Sequence, residues 1–133
     1  MPRILISMLL VLTFITTACS GTRRLSQSDI KHYHTLTDKK LAENALAHFI
    51  NFNYYKAIDT YAIILAREDA EPSRKAWARY ETGFCYYYLK KFKLAKEEFV
   101  KVIHEFPQPE FASQRILAEM LIRKIDEGRT QGI

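Results

Sequence analysis

Residues 81–107 read ETGFCYYYLKKFKLAKEEFVKVIHEFP, and the spacing of five of these residues decides the fold. Gly83 is followed by Tyr86 three positions on and by Ala95 nine after that. Phe99 comes four later and Pro107 eight later. A glycine in a helix interior weakens it by about 1 kcal/mol, so Gly83 needs a packing reason. Two antiparallel helices approach closely only where a side chain is nearly absent. Gly83 supplies such a gap on one helix and Ala95 the facing one on the next, with Tyr86 and Phe99 filling the space beside the crossing.

Working outward, helical periodicity covers the chain from about residue 38, and no stretch alternates long enough to be a strand. The pattern predicts helices over residues 38–50 with Thr37 as N-cap, 54–67, 73–89 with Ser73 as cap, 92–106 and 110–127. Pro107 and Pro109 separate the last two, and Gly128 is a natural C-terminal stop. The pairs repeat at a shift of 38 residues: Ala57, Tyr61 and Ile64 align with Ala95, Phe99 and Val102. The spacings in 83–107 resemble the tetratricopeptide (TPR) motif G-x2-Y…A-x3-F…P, with Arg79 and Thr82 where that motif prefers Trp and Leu. The resemblance implies an all-α, right-handed TPR-type α-solenoid. It would have two helix-turn-helix repeats, at about 38–71 and 76–109, and a C-terminal capping helix at 110–127, together forming a domain over 37–133.

On the second repeat's first helix, Trp77, Tyr80, Phe84, Tyr87 and Tyr88 share an arc of about 100°, away from the Gly83–Tyr86 side. In TPR proteins this side lines the groove, and Leu46 and Phe49 extend it on the preceding repeat, with Lys39, Ala42 and Ile50 in line. One reading makes the stripe core, filled by the helix at 110–127 or by the N-terminal tether. The other makes it a groove for a partner's helix or extended segment. Lys90, Lys91, Lys93 and Lys96 form a basic cluster at the turn, read either as solvated charge or as a contact for acidic protein or lipid surfaces.

The N-terminal residues set the location. Met1–Ala18 has Arg3, an apolar run over 4–15 and then small residues, the grammar of a secretory signal and too short to span a bilayer. Thr16-Thr17-Ala18-Cys19 resembles a bacterial lipobox, with Thr16 where that family usually has leucine. The resemblance implies acylation at Cys19, and Ser20 rather than aspartate implies passage to the outer membrane. Residues 19–36 read as a polar tether whose flexible part would reach about 18 Å. Cys85 then has no disulfide partner and reads as a small buried thiol.

The net charge of +5 is unevenly spread: residues 38–71 carry four basic and six acidic side chains, 72–109 eight and four. An exported, tethered chain with so modest an excess is a poor nucleic-acid binder. His32-x-His34 is the one close histidine pair and a weak metal candidate. With no phosphate-binding loop and no nucleophile in a recognisable setting, the chain reads as neither an enzyme nor a cofactor binder. Lipobox, tether and helix pairs ending in the A-x3-F-x2-V-I-x2-F-P run of Ala95–Pro107 are together similar to the BamD family of β-barrel assembly lipoproteins. A typical member has about five repeats against two here. The resemblance implies a periplasmic scaffold at the outer membrane that binds an envelope protein. Pilotins and envelope-maintenance factors share the same features and keep a second reading open, a structural subunit of another envelope complex.

Overall fold

The computed structural model describes residues 24–130, which fold as six α-helices with no strand among them. They are α1 (Gln27–Tyr33), α2 (Asp38–Ile50), α3 (Tyr54–Ala66), α4 (Pro72–Tyr88), α5 (Phe92–Glu105) and α6 (Ala112–Thr130), with a 3-10 turn at Pro109–Phe111 before the last. The expected signal segment at 1–18 and the expected acylation site Cys19 lie outside the described residues. Each helix from α2 onward packs chiefly on its neighbours in the chain, with lighter contacts between α2 and α4 and between α4 and α6.

Local chemistry sets the helix ends. Thr37 caps α2 through its side chain, accepting from the Lys40 amide at 3.3 Å. Helix α4 opens on Pro72 instead of on Ser73, with Glu71 as N-cap; a first helical position suits proline because its missing N–H has no intrahelical partner there. Helix α5 stops at Glu105, two residues before Pro107, and Arg115 reaches back from α6 to the carbonyls of Phe106 (2.9 Å) and Gln108 (2.6 Å). Gly128 does not end the last helix, which continues to Thr130. A helical glycine costs about 1 kcal/mol but does not forbid the next turn.

The two hairpin turns are copies. Asn53 N donates to His48 O (2.8 Å) and Phe52 N to Phe49 O (2.9 Å). Thirty-eight residues later, Lys91 N donates to Tyr86 O (2.9 Å) and Lys90 N to Tyr87 O (3.0 Å). This is the Schellman arrangement, whose pivot residue takes a left-handed backbone, and Phe52 and Lys90 both have φ of 60°. Neither is glycine, so both turns carry strain.

Helix α4 serves two cores. Ala78 and Cys85 join Leu41, Ala45, Ala57, Tyr61 and Ile64 in the first. Tyr80 joins Ala95, Phe99, Val102, Ala118 and Ile125 in the second. Gly83 faces Phe99 itself: a methyl added there would lie 2.7 Å from Phe99 Cε1 and 2.9 Å from Cδ1. The gap at Gly83 therefore houses the phenyl ring, while Ala95 is buried beside it with no exposed surface. Arg79, standing where the resemblance prefers tryptophan, bridges α4 to α5 through Glu98 (3.3 Å) and Glu105 (3.0 Å).

The expected tether differs most. From Arg24 onward the segment is docked. Leu25 is buried and its amide donates to Asp59 Oδ2 at 3.0 Å, while Arg24 pairs with Asp59 Oδ1 at 3.2 Å. Ser26 and Asp29 cap α1 reciprocally, and Tyr33 Oη is hydrogen-bonded to His48 Nε2 at 3.1 Å. Arg67 fastens the α1–α2 connection, donating to His34 O (3.1 Å), Leu36 O (2.7 Å) and Asp38 Oδ1 (2.6 Å).

Thermal melts check this packing. Gly83→Ala is expected to lose about 1–3 kcal/mol to overpacking despite alanine's better helix propensity, and Phe99→Ala about 3–5 kcal/mol. The double variant should lose less than the sum, since the new methyl occupies space the ring has left. Lys90→Gly should instead stabilise the fold by up to about 1 kcal/mol, through relief of the left-handed strain less the entropic cost of glycine.

Candidate protein-binding face

The stripe read from the sequence assembles into one aromatic network across α2 and α4. Phe84 sits at its centre, 5.0 Å from Tyr88 edge-on, 5.7 Å from Phe49 and 5.9 Å from Tyr80, both stacked. Trp77 meets Tyr80 edge-on at 5.7 Å. These are separations at which ring quadrupoles attract. Phe52 and Tyr54, which the sequence reading left out, extend the network: Tyr54 stacks on Tyr88 at 5.6 Å, and Phe52 meets Tyr54 edge-on at 6.3 Å.

Helix α6 covers part of this face. Tyr80 is buried, and Tyr87 packs into the core that it shares with Ala118, Ile125 and Leu121. Lys124 Nζ lies 5.9 Å over the Tyr87 ring. With its amide oriented to satisfy both neighbours, buried Gln114 accepts from Trp77 Nε1 at 2.9 Å and donates to Phe111 O at 3.1 Å. The other part stays open: Phe52 is 73% exposed, Ile50 63% and Leu46 50%, and Trp77 and Tyr88 are also exposed. The stripe is thus covered at Tyr80 and Tyr87 and exposed at Trp77 and Tyr88.

Between α2 and α4, next to Trp77, a cleft of about 390 Å³ is lined by Ala42, Leu46, Tyr61, Ile64, Trp77 and Glu81, with Ser73 and Arg74 at its α4 N-terminal end. Glu81 is half-buried and has no hydrogen-bond or ion-pair partner among the described residues. Burial pushes its carboxyl above the usual range. Burial, and then the nearby Glu81, push the Cys85 thiol up to about 12, so that buried thiol is unreactive at neutral pH. The sequence signal for Glu81 was a lone carboxylate amid aromatic residues; only the fold shows that nothing answers it.

The four lysines separate. Lys90, Lys91 and Lys93 are exposed at the turn, where Lys90 Nζ lies 6.0 Å over Phe92 and Lys91 Nζ 5.1 Å over Tyr55. Lys96 is half-buried and holds Asp126 of α6 through both carboxylate oxygens, at 2.8 and 2.7 Å. It is a clamp between helices instead of part of a basic surface. Among the described residues no group of three His, Cys, Asp or Glu side chains is placed to hold a metal ion, and no helix is long and apolar enough to cross a membrane. Comparison of the chain with known protein families, curated proteins and solved structures found no match in any of the three.

Glu81 provides a pH-dependent check. A carboxyl whose folded-state pKa is raised is penalised when charged, in full above that raised pKa and not at all well below the unfolded value of about 4.3. Glu81→Gln should therefore raise the melting temperature at pH 7. The gain should shrink as pH falls through the raised pKa toward about 4.3; a gain independent of pH would contradict the assignment.

Proposed function

We propose that this chain is a non-catalytic scaffold of the TPR type, with two helical hairpin repeats and a capping helix, that binds a protein partner through the open half of its aromatic face. The observation that carries the reading is the exposed set Leu46, Phe52, Trp77 and Tyr88: Phe52 and Trp77 are joined to Tyr88 through the rings of Tyr54, Tyr80 and Phe84, and Leu46 lines one cleft with Trp77. Large apolar side chains grouped on a surface mark interaction sites, and tryptophan and tyrosine are the residues that dominate such contacts. The identical hairpin turns and the matched core triplets, Ala57–Tyr61–Ile64 and Ala95–Phe99–Val102, support the repeat reading. The Tyr61 hydroxyl in the cleft and the buried Cys85 thiol outside it are both shifted upward by burial, away from nucleophilic reactivity.

Location and partner rest on the sequence. The lipobox-like Thr16–Cys19 supports acylation at Cys19 and anchoring in the outer membrane facing the periplasm, where several acyl chains hold firmly and one does not. With α1 docked from Arg24, only a few residues separate Cys19 from the folded body, which holds the face near the membrane surface. The resemblance to BamD makes the β-barrel assembly machinery the first partner to test. A second reading, a structural subunit of a pilotin-like or envelope-maintenance complex, draws on the burial of Tyr80 and Tyr87 against the core shared with α6.

A photo-cross-linking residue at Tyr88 in the lipidated protein tests the two. Capture of a β-barrel assembly protein from the envelope, with the same probe at Tyr87 linking only to α6, is the expected outcome. Links from Tyr88 confined to this chain would assign the face to internal packing.

A further inference from the structure

The cleft beside Trp77 contains a group that the fold itself does not use. Glu81 sits among Ala42, Leu46, Ile64 and Trp77, half-buried and without a hydrogen-bond or ion-pair partner among the described residues. Among the described residues Arg74 is the one cation lining the cleft, and it forms no ion pair with Glu81. The two lie seven residues apart on one helix, about 10 Å along its axis. Buried charges in folded proteins are ordinarily paired, and an unpaired one costs stability. Where it also opens onto a cleft, its use is to be sought in a ligand.

We propose that this cleft receives a lysine or arginine side chain from an apolar segment of the bound partner, with Glu81 as its counter-charge and Trp77 and Leu46 packing along its methylene stem. The proposal rests on the reading of the aromatic face as a protein-binding surface and specifies what that surface selects. The chemistry fits the dimensions. A long basic side chain has an aliphatic stem suited to apolar walls and a cationic head suited to a recessed carboxylate. A cation also attracts the indole face. An acidic segment is refused by the same carboxylate, and a purely apolar one leaves Glu81 desolvated and unpaired. Discrimination therefore comes from the group that weakens the free protein.

The chain has a single tryptophan, Trp77, and it lines the cleft, so its fluorescence reports occupancy in the full chain. The probes are n-hexylammonium, which mimics a lysine side chain, and n-hexanol, its neutral counterpart. Expected is a saturable change in Trp77 emission with hexylammonium binding about ten-fold more tightly than hexanol, and equal affinity for the two in Glu81→Gln. The variant is expected to fold at least as stably as the parent, so lost discrimination would not reflect unfolding. Equal affinity in the parent chain would overturn the charge-selective site while leaving the apolar face in place as a binding surface. Discrimination surviving in Glu81→Gln, or no response to either probe, would also overturn the site. A response to neither probe, together with Tyr88 cross-links confined to the chain, would remove the binding face as well. Emission that changes with protein concentration alone would assign the cleft to a second copy and likewise overturn the proposal.

Discussion

The structure depends on one phenyl ring filling one missing side chain. Phe99 occupies the space that any residue larger than glycine at position 83 would need, with less than 3 Å between its ring and the site of a would-be methyl. That contact sets how closely α5 approaches α4. Because α4 presents Ala78 and Cys85 to α3 on another side, the same helix is clasped from two directions. The open part of the aromatic face, Trp77 and Tyr88, is what remains on α4 once both of these sides are committed. Its residues fall in register because a helix allows no independent choice of direction at neighbouring positions.

Much of this was legible in the sequence, for reasons tied to particular residues. Helix α2 runs from Asp38 to Ile50 as expected because Thr37 is a strong cap and the Asn51–Asn53 turn is polar. The shift of 38 residues reappears in the hairpin hydrogen bonds because turn geometry follows from where Ala57 and Ala95 must pack. Helix α1 was missed because seven residues make too short a window for periodicity, though Ser26 and Asp29 carried a capping signal. Lys96 was grouped with its neighbours by sequence proximity, yet its partner Asp126 is thirty residues away on α6. Glu81 could not be singled out at all, since the lack of a partner is a property of the packed state.

Cost and proposed use coincide on the open face. Phe52 is the most exposed large apolar residue among the described ones and also holds a left-handed backbone that glycine would adopt freely. Glu81 is a half-buried carboxyl with no hydrogen-bond or ion-pair partner among the described residues, an arrangement that costs stability whenever it is charged. A chain shaped for stability alone would carry neither. Both lie on elements that border the exposed aromatic residues, which is where binding function and stability are expected to compete.

The sharing of α4 between two cores bears on how the domain comes apart. Arrays of helices that touch mainly their chain neighbours tend to fray from the ends inward, unit by unit. Here no boundary between units leaves α4 intact on one side alone, because its Ala78 and Cys85 belong to one core and its Tyr80 to the other. The two hairpins are thereby fused into a single melting block. Amide protons in the middle of α4 are expected to be the last to exchange with solvent, and those of the terminal turns of α6 among the first.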